Sequence, residues 1–489
     1  MSHLKGLDKI VSLCKSRGFI YQSSEIYGGL AAAYDYGPLG VELKRKLNQE
    51  WWKAMTQRHD NIVGLDAAIL MHPKVWKASG HVDSFNDPMI DDKQSKMRYR
   101  ADMLIEDYIL TLRNKGKDDK ADELQHLLDT AGTRKSMAED LYDIIMQEEI
   151  KSPDSGAFDW TDVRQFNLMF KTNFGATSKE EDEGVYLRPE TAQGIFVNFT
   201  NVVNTSRQQV PFGIAQIGKA FRNEVVARQF VFRMREFEQM EMQYFIEPDA
   251  DMETYQNWLD ERFAWHQSIG IRKSKLRIAD HPADKLAHYA KAAADIQYHF
   301  PIGWQEVEGV HNRTDFDLSQ HQEFSGKKME YFNPHTQKRF IPYVIETSVG
   351  LDRCFLMVLS DAYREEEVDA GNGKTEVRNV LKLHPKLAPI TAGIFPLVKK
   401  PELMEVADKI KAELSSDYKV QYDEKGSIGK RYRRLDEAGT PFCITVDFDG
   451  LEDQTVTIRH RDTMAQERVG LDKIDQVIRD GIKNWSPEE

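Results

Sequence analysis

Two short strings carry arginines and carboxylates at spacings that could grip a phosphorylated ligand. The first is Phe221-Arg222-Asn223-Glu224, followed after a short loop by Phe232-Arg233-Met234-Arg235-Glu236-Phe237-Glu238-Gln239-Met240-Glu241. Side chains two apart on a strand share a face. Arg222 and Glu224 are therefore expected to point one way. On the return strand Phe237, Gln239 and Glu241 face together, with Met240, Met242 and Tyr244 opposite. An arginine fork suits a phosphate, and an aromatic ring suits a flat base. Arg–Glu pairs taken alone also fit an exposed hairpin laced with cross-strand ion pairs.

The second string is Tyr343-Val-Ile-Glu346-Thr-Ser348-Val-Gly350-Leu-Asp352-Arg353, running into apolar CFLMVL. By parity Glu346, Ser348 and Gly350 share a face, and Ile345, Thr347 and Val349 take the other. Gly350 lets a ligand or backbone come close. A cation such as Arg353 at a helix N-terminus is unfavourable unless an anion is near. An ordinary strand–helix corner fits the string too. Further on, Lys425, Lys430, Arg431, Arg433 and Arg434 crowd around Tyr432, and Arg459 and Arg461 follow on a strand. Basic residues with an interleaved aromatic suit single-stranded RNA. A solvated helix face balanced by Asp436 and Glu437 is the alternative.

The elements that must position these strings follow from periodicity. Residues 41–55 space Val41, Leu47, Trp51, Trp52 and Met55 as an amphipathic helix begun by Gly37-Pro38. Residues 101–150 read as charged helices with a stripe of Leu104, Ile105, Tyr108, Ile109 and Leu112. Strands are expected from 185 to 245, a second helical insertion over 250–300, and strands again at 340–350. HPKLAP, residues 384–389, reads as a linker. Beyond it strands and helices alternate, as in a compact α/β domain.

Composition bounds the function. The 489 residues carry 66 Lys plus Arg against 79 Asp plus Glu, a net charge of −13. A polybasic nucleic-acid binder is excluded, whereas a local basic patch is not. Hydrophobic residues make up 40%, enough for large cores and too many for a disordered chain. Cys14, Cys354 and Cys443 are far apart with no CxxC pair, which argues against a thiolate zinc site or a disulfide framework. The opening MSHLKGLDKI lacks the apolar core of a signal peptide, and mean hydropathy is −0.58. The expectation is a cytoplasmic protein with no membrane partner.

Together the strings resemble the class II aminoacyl-tRNA synthetases. FRNE…REF is similar to motif 2 of that class, GLDR at the head of an apolar helix to motif 3, and the Gly37-Pro38 helix to motif 1, where the class dimerises. YDYGPLG (34–40), HPKVWKASGHVDSFNDP (72–88), YRAD (99–102), LRPETAQGIF (187–196), NRTDFDL (312–318) and GSIGKRYRRLDEAGTPF (426–442) resemble the homodimeric glycyl-tRNA synthetases in particular. Many of these carry a Cys pair just before YRAD; here Asp92 and Ser95 stand there, so no zinc is expected.

The resemblance implies an α+β catalytic domain, an antiparallel sheet flanked by helices, over 1–90 and 160–385. It also implies a mostly helical insertion at 91–160, a second insertion at 246–300 and a mixed α/β anticodon-binding domain at 386–489. It implies ATP-dependent ligation of glycine to tRNA(Gly) through a glycyl-adenylate, with Mg2+, in a homodimer. The implied ATP site comprises Arg222, Asn223, Glu224, Phe232, Arg233, Met234, Arg235, Glu236, Phe237, Glu306, Val307, Gly350, Leu351, Asp352 and Arg353. Within it Arg222 meets the α-phosphate, Arg353 the γ-phosphate, Phe237 the adenine face, Glu224 the adenine amino group and Glu306 the magnesium. Glycine contacts fall to Arg100, Glu190, Phe237, Glu238, Gln239, Met240, Glu241, Glu346, Thr347, Ser348, Val349 and Gly350. The anticodon falls to Lys430, Arg431, Arg433, Arg434, Arg459 and Arg461. Carboxylates so close repel unless a cation arrives, so one is expected to carry a raised pKa. Two alternatives share the motifs: a non-catalytic paralogue, which would lose the ATP-gripping arginines, and a class II synthetase for another amino acid.

Overall fold

The structure, a computed structural model, describes residues 7–132, 135–173, 184–224, 230–283, 286–287, 289–369 and 375–488. The loop 225–229 between the two halves of the first string lies outside the described residues.

Helix α1 spans Leu7–Arg17 and α2 spans Pro38–Thr56. Proline opens α2 where its missing N–H costs nothing. Gly40 is required there, because a Cβ would lie 1.9 Å from the Phe19 carbonyl oxygen. The buried stripe of α2 is Leu43, Leu47, Trp51, Ala54 and Met55, in steps of three and four. Val41, expected on that stripe, is exposed, and Trp52 is half-buried against Gly64.

The central sheet contains β1 (Ile62–Gly64), β2 (Phe212–Phe221), β3 (Glu236–Ile246), β4 (Leu276–Asp280), β5 (Ala292–Phe300), β6 (Gly303–Thr314) and β7 (Tyr343–Gly350). Its spatial order is β4-β5-β6-β7-β3-β2-β1, antiparallel except for the β1–β2 pair. On one face Met240, Met242, Ile345 and Val349 pack in a core with α2, with α3 (Asp251–Ser268), and with a later helix, Leu351–Ala362. The other face is apolar at one end, where Phe212, Ile214, Phe245 and Val344 meet Phe196, Phe199 and Leu318. It turns polar towards the other end. Leu318 belongs to α4 (Phe316–Ser325), and Leu351–Ala362 is α5.

Several expectations need correction. Among the described residues of the 250–300 stretch, α3 is the one α-helix, followed by a short 3-10 turn at Lys273–Lys275. Strands β4 and β5 form one side of the central sheet, and Ala294, Ile296, Tyr298 and Phe300 alternate into its core. The 185–245 stretch is interrupted by helices Ala192–Val197 and Phe199–Ser206. HPKLAP is not an exposed linker: Leu387 and Ala388 are buried, and Lys46 of α2 donates to the Ala388 carbonyl at 2.5 Å.

Helices Ala101–Asn114, Asp118–Asp129 and Met137–Gln147 form a separate small core. The third starts with a capping box between Ser136 and Glu139. At the base of this module Asp92 accepts from the hydroxyls of Ser95 and Ser155, both at 2.6 Å, and from the Gln94 N–H. Those bonds hold its carboxyl well below the usual range.

The C-terminal part joins the core through a hairpin, β8 (Tyr363–Asp369) and β9 (Thr375–Leu381). A five-stranded sheet follows: β10 (Ala392–Pro396), β11 (Val420–Tyr422), β12 (Phe442–Val446), β13 (Thr455–His460) and β14 (Gln466–Gly470), in the order β11-β10-β12-β13-β14. Helices α6 (Pro401–Leu414), α7 (Ile428–Ala438) and α8 (Ile474–Lys483) accompany it. Asp436 of α7 is fully buried between Arg378 of β9 at 2.8 Å and Arg459 of β13 at 2.9 and 3.0 Å. Arg461 donates to the carbonyls of Gly439 and Leu383, both at 2.7 Å. Removing one member of a buried ionic group strands the others. Asp436→Ala should therefore cost about 3–5 kcal/mol, read by chemical denaturation; a loss below 1 kcal/mol would contradict the role given to this carboxylate.

Candidate active site

The polar face of the sheet opens into a cleft lined by Arg222, Glu224, Val231, Phe232, Arg233, Met234, Phe237, Gln239, Glu306, Val307, Ser348, Gly350, Asp352 and Arg353. Strand pairing explains most of this gathering. Gln239 of β3 lies opposite Gly350 of β7, and Glu241 lies opposite Ser348. A Cβ on Gly350 would meet nothing nearer than Arg353 at 3.7 Å, so the glycine leaves the cleft floor open.

FRNE is not a strand beyond its first residue, since β2 ends at Phe221. The Arg222 N–H still pairs with Arg235, but Asn223 peels away to donate to the Leu168 carbonyl. Arg222 nevertheless reaches the cleft. Its guanidinium sits 5.3 Å from the ring centres of both Phe237 and Phe85, and its Nε donates to the Pro189 carbonyl. On the opposite wall Arg353 lies 4.5 Å from the Phe232 ring centre and pairs with Glu306 at 3.1 Å. Among the described residues Arg222 has no carboxylate partner, and Arg233 forms no close ion pair although its charge acts on Asp87. Asp352 is held at the head of α5 by the Tyr36 hydroxyl and the Glu238 N–H, which gives the YDYGPLG string its place here.

One pleat deeper on the same face the chemistry changes sign. Glu241 and Glu346 are buried, and Gln243 donates to both, at 3.0 and 2.7 Å. Arg313 pairs with Glu346 at 3.1 Å and forks onto Asp317 at 2.8 and 3.0 Å. His311 meets Glu346 at 2.7 Å, and His81 meets Glu190 at 3.3 Å. Burial alone would raise the Glu190 carboxyl, but His81 and Arg313 outweigh it and hold the pKa at about 2. Burial opposes Glu346 as well, yet Arg313 and His311 hold it well below the usual range. Glu241 goes the other way: burial, then the charges of Glu346 and Glu190, push it well above. That is the raised carboxyl the sequence led one to expect.

Other expected residues lie elsewhere. Glu238, Met240, Thr347 and Val349 alternate onto the opposite face; Glu238 pairs there with Lys44 at 2.6 Å, and Met240 and Val349 are in the core. Asn223, Arg235, Glu236 and Leu351 do not line the cleft. Arg235 donates to the carbonyls of Glu224 and Ala31, Glu236 pairs with Lys219, and Leu351 is core. Arg100 pairs with Asp102 at 2.6 Å and Asp87 at 3.2 Å at the edge of the cleft, where the Glu224 charge also acts on it. Among the described residues no cluster of three or more His, Cys, Asp or Glu could hold a metal. Sequence reasoning missed Arg313, Gln243, His81 and His311; Gln243 was legible, because it continues the Phe237, Gln239, Glu241 alternation.

The basic residues of the C-terminal part divide. Lys425, Lys430, Arg433 and Arg434 line an open groove with Arg17 of α1. Arg431, Arg459 and Arg461 are buried and bonded internally, so they are not available to RNA.

The tRNA synthetase class II core domain (G, H, P, S and T) matches residues 170–362, glycyl-tRNA synthetase insertion domain 1 matches 87–127 and 116–168, and an anticodon binding domain matches 391–481. The glycine–tRNA ligase of Chlorobaculum tepidum is 57% identical over 96% of this chain and 98% of its own length. The chain belongs to the glycine–tRNA ligase family. The ligase of Treponema denticola is 50% identical over 99% of this chain and 98% of its own. A prolyl-tRNA synthetase from Cryptosporidium parvum shares the fold, with a TM-score of 0.61 at 12% identity, over 98% of this chain and 78% of its own. In this ligase no described helix is long and apolar enough to cross a membrane.

A carboxylate with a depressed pKa stabilises the fold above its unfolded pKa and loses that contribution as pH falls through the folded one. Glu190→Gln should therefore cost the ligase about 3 kcal/mol at pH 7. The cost should fade between pH 4.5 and 2, and denaturant titrations across that range would contradict it by showing a constant difference.

Proposed function

We propose that the two levels of the cleft divide the reaction, arginines above for ATP and carboxylates below for the glycine ammonium. The chain is a class II aminoacyl-tRNA synthetase that ligates glycine to tRNA(Gly) at the expense of ATP. The observation that carries the assignment of residues is the change of sign along one sheet face, from Arg222, Arg233 and Arg353 to Glu190, Glu241 and Glu346. In the first step a glycine carboxylate oxygen bonds to the α-phosphorus and the bond to pyrophosphate breaks. In the second a ribose hydroxyl of the tRNA takes the glycyl group from the adenylate and AMP leaves. Charge grows on the α-phosphoryl oxygens, where a fixed guanidinium is most effective. Arg222, wedged between Phe85 and Phe237 and free of carboxylates among the described residues, is suited to that task. Phe237 offers a stacking face, Arg353 closes the other wall, and Ser348 stands between the two levels. Larger amino acids are excluded by overlap with the buried floor.

Magnesium bound with the triphosphate would supply charge neutralisation. Glu306, a half-exposed carboxylate on the cleft wall, would hold it together with the phosphates, as magnesium commonly needs few protein ligands. The groove of Arg17, Lys425, Lys430, Arg433 and Arg434 suits the RNA backbone near the anticodon. The exposed apolar residues Ile26, Tyr27 and Leu30 support a homodimer, and the translation role of the relatives supports a cytoplasmic site.

Arg222→Ala should lower glycine-dependent ATP–pyrophosphate exchange by roughly 10²–10³ with the fold intact by circular dichroism; an unchanged rate would sink the assignment. Lys430→Glu with Arg434→Glu should raise KM for tRNA and flatten its salt dependence while leaving exchange unaltered. Equal charging by the double variant would remove the groove from the RNA path.

A further inference from the structure

The four carboxyls beneath the cleft do not have equal partners. Asp317 takes the Arg313 fork, and Glu346 takes another contact from the same guanidinium together with His311. Glu190 takes His81 and the Gln193 amide. Arg188, the other buried guanidinium nearby, donates to the carbonyls of Lys219 and Ala67. Glu241 alone has no cationic hydrogen-bond partner among the described residues: the Thr191 hydroxyl and the Gln243 amide donate to it. That amide also binds Glu346, which fixes the two carboxyls within hydrogen-bonding reach of each other. Two adjacent buried carboxylates cannot both stay ionised without a cation between them.

We infer that Glu241 is a neutral acid in the free pocket and that the glycine ammonium displaces its proton, so that glycine binding exchanges one cation for another. The inference rests on the proposed glycine pocket. Glycine arrives as a zwitterion with three ammonium N–H donors, the Glu241 O–H bond breaks, the proton passes to solvent, and the carboxylate left behind accepts from the ammonium. The groups that face Glu241 are accounted for from each neighbouring element: Glu346 on β7, His311 and Arg313 on β6, Asp317 on α4, Arg188 and Glu190 on the segment before the 192–197 helix, and His81 on the short helix 81–84. Asp66, on the turn after β1, and Glu241 itself act on Arg188 across space, but that guanidinium's hydrogen bonds go to backbone carbonyls. The fixed cations among these are already engaged by the other carboxylates or by backbone, so the arriving ammonium is what makes ionised Glu241 tolerable. The free pocket thereby avoids an unpaired buried charge, and glycine pays for its own binding site by bringing the compensating cation.

Calorimetric titration of the full-length chain with glycine, at pH 7 in phosphate and again in Tris, reads the protons released from the dependence of the heat on buffer ionisation enthalpy. Close to one proton released per glycine is expected, with glycine affinity rising up to tenfold per pH unit while free Glu241 stays protonated. In Glu241→Gln the release and the slope should both vanish, whatever binding remains. Saturable binding with no buffer dependence in the unaltered chain overturns the inference and leaves the pocket standing, so the result does not depend on the variant folding. Release that persists in Glu241→Gln also overturns it. No saturable glycine binding overturns the pocket assignment itself, and the inference with it.

Discussion

One guanidinium holds the floor of the cleft together. Arg313 bonds Asp317 of α4 and Glu346 of β7 at the same time, and it is itself buried. It stands two residues after His311 on β6, so alternation puts both side chains on the polar face beside Glu346. That cation helps hold Glu190 and Glu346 below the usual carboxylate range, and Glu241 is left short of a partner. The acidity below and the free arginines above then follow from the same sheet face, because the strands run antiparallel and their paired residues share sides.

Alternation made much of this site legible. Glu241, Glu346, Ser348 and Gly350 fell on the cleft side by parity alone, and parity also excludes Glu238, Met240, Thr347 and Val349, which the family resemblance had drawn in with their neighbours. What escaped was set by tertiary packing. Arg313 lies on β6, a strand outside the stretches expected as strands, and His81 lies on a four-residue helix that leaves no periodic signal. FRNE looked like a strand end, but the Asn223 N–H finds the Leu168 carbonyl instead, and the ribbon opens there. Strands β4 and β5 lie in a stretch whose sequence reads as helical, yet Ala294, Ile296, Tyr298 and Phe300 alternate into the core with polar neighbours on the other face.

The basic cluster near residue 430 shows why composition cannot separate binding from structural charge. Arg431 satisfies the carbonyls of Pro396 and Leu397, while Arg459 and Arg461 serve Asp436 and backbone oxygens. Their neighbours Lys430 and Arg434 remain at the surface. The same interior bonds seat α7 against the β8–β9 hairpin, and Arg17 of α1 stands across the groove from Lys425. A phosphate backbone lying there would touch both parts of the chain, which ties the RNA-binding end to the body that carries the catalytic sheet.

The central claim is that one sheet face binds the ammonium on acids and the nucleotide on arginines. A crystal structure of the full chain with glycine and a non-hydrolysable ATP analogue tests it most directly. The account predicts the ammonium nitrogen within about 3.2 Å of Glu241 and Glu346 oxygens, with the adenine against Phe237 and the α-phosphate on Arg222. Glycine seated instead beside Glu224 and Arg100, with Glu241 unchanged in its bonds to Thr191 and Gln243, would contradict it.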